Sequence, residues 1–287
     1  MNILNPFEDD RELDNINAEF KKTEKKIEKL DFFEHYSGND RVISSIEMSD
    51  YIYGLSKDKR EIRIMSGISE LDEAIKGFYG GELTIISGET GNGKTLFAQT
   101  LTQAMVKQEL KSLWFTFEVG PEQFFKQFDE PVPIFFLPME LKVKSLRWLE
   151  ERILEAKLKY QVVSVFVDHL HFLIDLQRGS NMSLEIGFVM RELKRIALRY
   201  NVAFFLLAHT NRLKLEGEPD VDSLRDSAMI GCEADNVLFL WRLRNTANQA
   251  MLKIAKNRRY GIYQKKIRLQ KQGKYLVEGL HESNYQD

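Results

Sequence analysis

Eight consecutive residues, Gly88-Glu89-Thr90-Gly91-Asn92-Gly93-Lys94-Thr95, carry the most specific chemistry in this chain of 287 residues. The apolar run Leu83-Thr84-Ile85-Ile86 precedes them, and a helix-forming run from Leu96 to Lys107 follows. Strand, glycine loop and helix are the setting in which such a sequence becomes a phosphate cradle, a P-loop. The glycines turn successive backbone N–H groups toward phosphate oxygens, and the helix N-terminus adds its positive end. In that cradle Lys94 reaches the β and γ phosphates of a bound triphosphate, and the Thr95 hydroxyl holds Mg²⁺. ATP and Mg²⁺ are therefore the expected ligands.

Other candidate residues close or follow apolar runs. Asp168 ends Val162-Val163-Ser164-Val165-Phe166-Val167, where a carboxylate can support Mg²⁺ beside Lys94 and Thr95. Glu118 follows Leu113-Trp114-Phe115-Thr116-Phe117 and can act as general base on an attacking water, or as a structural or capping carboxylate. His209 follows Phe204-Phe205-Leu206-Leu207-Ala208, where it can donate to the γ phosphate and report its loss, or simply pack at a strand end. His169 and His171 flank this region beside Asp168, but no third soft ligand has the spacing of a zinc site.

A second group is basic. Lys256 and Arg258, in Ala255-Lys256-Asn257-Arg258-Arg259-Tyr260-Gly261, occupy a turn between two strand-like runs. They can bind nucleic-acid phosphate or stabilise charge on a neighbouring copy's nucleotide. Arg225 and Asp226 lie just beyond a polar loop at 211 to 222, and Arg225 can contact a phosphate backbone without reading sequence. Lys214 and Arg212 can assist it, against dilution by Glu216, Glu218, Asp220 and Asp222. No aromatic residues interleave this loop, so strand binding would rest on backbone contacts.

The elements that must position these groups follow from periodicity. Leu13, Ile16, Phe20, Ile27 and Leu30 recur at helical spacing, predicting a charged amphipathic helix over 12–36 that docks on a neighbouring subunit or folds back on its own domain. Residues 37–61 read as linker or surface turn, so 1–61 form an N-terminal helix and linker, and 62–287 form the main domain. Within that domain Ser112 to Phe117, Val132 to Leu137, Val162 to Val167, Val202 to Ala208, Val237 to Trp241, Ala250 to Ala255 and Tyr263 to Leu269 read as strands. Helices are predicted around Ile68 to Ile75, Leu96 to Lys107, Ser145 to Leu158 and Ser183 to Tyr200. Alternating strands and helices predict an α/β fold with a mostly parallel sheet whose ligands bind beyond its carboxyl edge.

Composition limits the alternatives. A single cysteine, Cys232, excludes an intrachain disulfide framework and a four-cysteine zinc site. No apolar run reaches membrane-spanning length and no secretory signal opens the chain, so a cytosolic setting is expected, the host cytoplasm if the gene is viral. Net charge is −2, yet Met251 to Lys274 contains no Asp or Glu, which gives a local basic field suited to a polyanion.

Together these signals resemble the RecA-like motor domain of the DnaB-like replicative helicases, and most of all the phage primase-helicase and Twinkle types. The resemblance covers roughly residues 62 to 280. It implies that Glu118 is the catalytic base, Asp168 the second nucleotide motif and His209 the phosphate sensor. Leu224-Arg225-Asp226-Ser227 is similar to the family's Leu-Arg-Glu-Ser segment in a DNA-contacting loop. Lys256-Asn257-Arg258 is similar to the Lys-x-Arg pair that reaches the adjacent subunit's nucleotide. The family implies ATP-driven 5′-3′ movement on single-stranded DNA, duplex unwinding in replication, and a homo-oligomeric, hexameric ring; the short stretch ahead of the motor adds the expectation of a separate primase or loader. Ala228 departs from the Gly usual in bacterial members, and too little chain precedes the motor for a primase or collar domain. RadA-like recombination ATPases and KaiC-like assembly ATPases share the core, so two alternatives stand beside the helicase: a repair ATPase and a non-motor protein that uses ATP to set its oligomeric state.

Overall fold

The structure is a computed structural model that describes residues 18, 21, 22, 25, 37–38, 41–56, 61–141, 145–173, 182–209, 219, 228–243, 246, 248–262 and 264–279. The chain divides into two units, Met1–Arg60 and Glu61–Asp287. In the first, Ala18, Lys21, Lys22 and Lys25 are helical and exposed, and the rest of the amphipathic helix expected over 12–36 lies outside the described residues. Helix α1 (Ser45–Ser56) occupies the segment expected to be linker. Its start is a reciprocal cap: Ser44 Oγ accepts from Glu47 N at 3.1 Å, and Glu47 Oε2 accepts from Ser44 N at 2.9 Å. This Ser-x-x-Glu box satisfies two orphan donors and outweighs the glycine at 54 as a local signal.

In the second unit, strand β1 (Arg63–Ile64) pairs with β2 (Phe78–Tyr79) around helix α2 (Ser69–Ile75). The sheet of eight strands contains β3 (Leu83–Gly88), β4 (Ser112–Thr116), β5 (Ser164–Asp168), β6 (Ala203–His209), β7 (Asn236–Arg242), β8 (Gln249–Asn257), β9 (Lys265–Gln272) and β10 (Tyr275–Glu278). Its order is β10-β9-β8-β7-β3-β6-β5-β4. Strands β7, β3, β6, β5 and β4 run parallel, and β8, β9 and β10 add an antiparallel meander. Helices α3 (Lys94–Lys107), α4 (Pro121–Phe125), α5 (Leu146–Tyr160), α6 (Met182–Tyr200) and α7 (Ala228–Glu233) complete the unit.

Strand periodicity divides the core. Ile85, Val165, Val167, Phe204 and Leu206 face Leu149, Ile153 and Ala156 of α5 and Ile186, Met190, Leu193 and Ala197 of α6. Their neighbours in sequence, Ile86, Phe166, Phe205 and Leu207, face α2 and the Phe97, Ala98, Leu101 and Met105 side of α3. Successive side chains on a strand point to opposite faces, so a sheet covered on both sides needs the near-continuous apolar runs seen here. Trp114, Phe166 and Phe205 form a continuous ring stack across β4, β5 and β6, with centroids 4.5 and 4.6 Å apart.

Two sequence expectations are corrected. Val132 to Leu137 forms no full strand; only an isolated parallel bridge joins Phe136 to Leu113. Pro131 and Pro133 remove the N–H groups that a ladder would need, which confines the segment to the sheet margin. Strand β10 lies beyond the last strand that periodicity predicts. It pairs with β9 through the Gly273 turn, at φ +57°, and its Leu276 N–H bonds Thr100 Oγ1 of α3 at 2.9 Å. Among the described residues no helix is long and apolar enough to cross a membrane.

Candidate nucleotide site

The parallel strands end side by side. Gly88 of β3 is in register with His209 of β6, and Thr116 of β4 with Asp168 of β5. Four candidate groups, from Gly88, His209, Asp168 and the residues after Thr116, therefore meet at one carboxyl edge. Gly88 must be glycine: a Cβ there would lie 2.2 Å from the Leu240 carbonyl oxygen of β7. Gly91 at φ +81° and Gly93 at φ +92° make the turn into α3, with Gly93 as its N-cap. The 14 residues of α3 then aim the helix's positive end at the loop.

Lys94 is 5% exposed and folds over the loop, its Nζ donating to Gly88 O at 2.9 Å and Glu89 O at 3.1 Å. The same Nζ lies 3.2 Å from His209 Nδ1, which is 3.5 Å from Thr90 Oγ1. Burial lowers the Lys94 pKa, opposed by the charges of Asp168, Glu118 and Glu89. Thr95 Oγ1 donates to Asp168 Oδ2 at 2.8 Å, while Asp168 Oδ1 is buried with no hydrogen-bond partner. Burial, and then the Glu118 charge, push the Asp168 carboxyl up to about 7 against the Thr95 bond. The Thr95 hydroxyl oxygen and the two Asp168 carboxylate oxygens, one of them orphaned, form a hard-oxygen set that fits Mg²⁺, whose charge would favour the ionised Asp168.

Glu118 and Phe117 follow β4 and both donate backbone N–H groups to Asp168 O, at 3.2 and 2.8 Å. These bonds hold the Glu118 side chain at the edge, where it stays 37% exposed. Sequence reasoning gives His169 no working role, yet its Nδ1 lies 3.3 Å from Glu118 Oε2 and its ring meets the His209 ring edge-on at 4.5 Å. Its place directly after Asp168 is the only signal that points to it. Glu118, His169 and His209 each bring a potential ligand atom within 4.8 Å of the others, so tertiary structure supplies the third ligand that local spacing lacks. The Lys94 ammonium beside His209 Nδ1 works against a soft cation there and suits a phosphate oxygen instead.

Lys256 and Arg258 lie elsewhere. Asn257 pairs with Asn236, and Asn236 with Thr84 near the start of β3, so this turn occupies the amino edge of the parallel strands. The P-loop is at the other end of β3, about 16 Å along the strand. Lys256 Nζ donates to Gly231 O at 2.7 Å, and Arg258 donates to Cys232 O at 2.8 Å and Asp235 Oδ1 at 3.2 Å. These are carbonyls and a carboxylate at the C-terminal end of α7, where cations are favoured. Burial and the Arg258 charge lower the Lys256 pKa. Lys253, 3% exposed, donates to Pro219 O at 2.9 Å, and Arg259 bonds Glu82. The basic run is thus substantially engaged within the fold and is not the open field its composition implies. Lys214, Arg225 and Asp226, the expected DNA-contacting residues, lie outside the described residues.

Residues 132–276 match the family model described as the DnaB-like helicase C-terminal domain, and residues 64–131 match a KaiC ATPase model. A replicative DNA helicase DnaB of Rickettsia prowazekii is 25% identical over 224 residues, covering 63% of this chain and 46% of that protein. The chain spans about half the length of the curated relatives it matches. One solved structure, described as an ATPase domain, superposes with a TM-score of 0.69 at 20% identity, covering 84% of this chain and 100% of that one. A second, described as a DnaB-like replicative helicase and its interactions with primase, superposes with a TM-score of 0.68 at 19% identity, covering 92% of this chain and 73% of that one. Those two likenesses establish the RecA-like P-loop fold. The family model spans just over half of the sequence and takes in Asp168, His209, Lys256 and Arg258, and on that ground the chain belongs to the DnaB-like helicase C-terminal domain family.

Proposed function

We propose that this chain is the ATPase motor of a ring-forming replicative DNA helicase that moves along single-stranded DNA and unwinds duplex. The observation that carries this reading is the placement of two functional groups at opposite edges of one sheet. Lys94, Thr95, Asp168 and Glu118 gather at the carboxyl edge, while Lys256 and Arg258 sit at the amino edge. A basic pair that far from its own P-loop serves a nucleotide held by a second copy. Hydrolysis then depends on assembly, in a hexameric ring by family kinship.

In each subunit the loop from Gly88 through Glu89, Thr90, Gly91, Asn92 and Gly93 wraps the phosphates with backbone N–H groups, and Lys94 turns from Gly88 O and Glu89 O to the β and γ oxygens. Thr95 and Asp168 would hold Mg²⁺, which would neutralise phosphate charge. Glu118 orients and deprotonates the attacking water. Lys256 and Arg258 of the adjacent subunit leave the end of α7 and stabilise charge on the transferring phosphoryl. His209, between Lys94 and the segment that follows β6, senses the γ phosphate and passes its loss toward the loop with Lys214, Arg225 and Asp226. Movement is 5′-3′ as in the family. The similar structure described as a DnaB-like replicative helicase and its interactions with primase supports a primase as a further partner, with a loader the other candidate.

The test is ATP turnover across protein concentration, with and without single-stranded DNA, followed by strand displacement on a forked duplex. Cooperative, DNA-stimulated turnover with displacement is the expected result. Stimulated turnover without displacement would indicate a recombination-type ATPase, and DNA-indifferent turnover would indicate an assembly ATPase. Mixing Lys94→Ala with Arg258→Ala protein separates action in trans from action in cis. Each variant alone is inactive, and the mixture recovers activity only if Arg258 serves a neighbour's site.

A further inference from the structure

Two arginines stand side by side in the trans-acting turn, and the structure gives them different surroundings. Arg258 is half exposed, held by a carbonyl and by Asp235. Asp235 also accepts from Lys194 Nζ at 2.6 Å and Leu83 N at 2.8 Å, so it keeps a counter-charge if Arg258 departs. Arg259 has no such freedom. Its Nε donates to Glu82 Oε1 at 2.8 Å, and Nη1 lies 3.6 Å from Glu61 Oε1. Its guanidinium sits 3.7 Å above the Tyr79 ring.

We propose that Arg259 is a positioning residue that fixes the direction of Lys256 and Arg258. The inference rests on the reading that this pair acts on a neighbour's nucleotide. The turn is pinned to Tyr79 twice, through the Arg259 guanidinium and through a 3.2 Å contact between the Tyr79 and Tyr260 hydroxyls. Asn257, 2% exposed, points inward, bonding Asn236 Oδ1 at 2.7 Å and accepting from Tyr260 N at 2.8 Å. Lys256 and Arg258 both reach instead to the end of α7, donating to Gly231 O and Cys232 O. Glu82, buried at 8% exposure, ties the clamp to the base of β3 through Tyr79 N and Asn236 Nδ2. Strand β3 carries the P-loop at its other end. One strand thereby joins a subunit's own phosphate cradle to the groups it presents to the next subunit. A planar guanidinium is required: an ammonium can match the Glu82 charge but cannot keep the stack and the Nε bond together.

The experiment is trapping of Mg²⁺–ADP with aluminium fluoride, which reproduces the transferring phosphoryl, compared with simple Mg²⁺–ADP affinity in the same 287-residue chain. Arg258→Ala, Arg259→Ala and Arg259→Lys are each measured, with thermal melts. Arg259→Lys keeps a charge beside buried Glu82 and guards against loss of folding in the alanine variant. Both Arg259 variants should lose trapping by about tenfold or more, as small misplacements of charged groups do, while ADP affinity stays at the wild-type level. Trapping at the wild-type level in Arg259→Lys, with loss in Arg258→Ala, would overturn the positioning role alone. Equal loss of ADP affinity would also overturn it. Undiminished trapping in Arg258→Ala would overturn the trans-acting reading itself, and the positioning role with it.

Discussion

His169 Nδ1 approaches Glu118 Oε2 to 3.3 Å, joining the residue after β5 to the carboxylate after β4. In the proposed role of general base, the partly exposed Glu118 needs something to hold its side chain in one rotamer, and His169 is the group placed to do so. Glu118→Gln should keep nucleotide affinity and lose turnover by about 10²- to 10⁴-fold. His169→Ala should lower kcat by about tenfold, with little effect on nucleotide affinity. In the double variant the His169 change should add almost nothing, because its effect runs through Glu118. Steady-state kinetics on the four proteins of this cycle give the answer; additive losses would show that His169 acts on its own.

Lys94 is buried and bonded to loop carbonyls, poised to exchange them for phosphate oxygens. Lys94→Ala should abolish measurable ATP turnover and weaken Mg²⁺–ATP binding by at least about tenfold, the equivalent of one charge-assisted hydrogen bond. Titration with a fluorescent ATP analogue measures this directly. Turnover equal to wild type would remove Lys94 from the site.

Gly88 and Gly91 separate packing from conformation. A methyl at Gly88 meets the Leu240 carbonyl at 2.2 Å, whereas at Gly91 nothing lies within 4 Å and only the φ of +81° is costly. Gly88→Ala should cost roughly 1–3 kcal/mol or more by overpacking. Gly91→Ala should cost about 1–2 kcal/mol from left-handed backbone. Urea denaturation of the two variants ranks them.

Glu150 joins α5 to α6, accepting from Arg195 at 3.1 Å, Arg199 at 3.0 Å and Tyr200 at 3.1 Å. Burial pushes its carboxyl up, but the Arg195 and Tyr200 bonds and the arginine charges hold it below its ordinary 4.5. A carboxyl lowered on folding contributes stability that is present above 4.5 and lost as pH falls through the folded value. Glu150→Gln should therefore cost up to about 1 kcal/mol at about pH 7 and progressively less below pH 4.5. Thermal melts of both proteins from about pH 7 down to about pH 3 should converge; a constant gap would assign the effect to packing.

Much of the nucleotide site is legible in the sequence because its signals are local. Gly88 to Thr95 is contiguous, and Asp168 and His209 each end a β-branched or aromatic run, so strand ends can be read directly. Glu118 follows from the same rule. The failures also have local causes. Val132 to Leu137 has strand composition, but Pro131 and Pro133 cannot donate to a ladder, and the capping box at Ser44 and Glu47 makes a helix where composition suggests a linker. The basic stretch from Met251 reads as a field because composition cannot show that Asp235, Glu82 and the carbonyls of α7 engage its charges.

The sequence by itself determined the phosphate cradle, the parallel α/β architecture and the family, since each is written in contiguous residues whose backbone preferences and hydrophobic period act over short range. Only the tertiary structure decided which groups share an edge. His169 reaches Glu118 because β4 and β5 are neighbours, although the chain between the two side chains passes through α4 and α5. Lys256 and Arg258 lie away from their own P-loop because β8 runs antiparallel to β7 and returns the chain to the amino edge. Strand order and direction arise from how crossovers close a sheet around a shared core, and no local spacing encodes them.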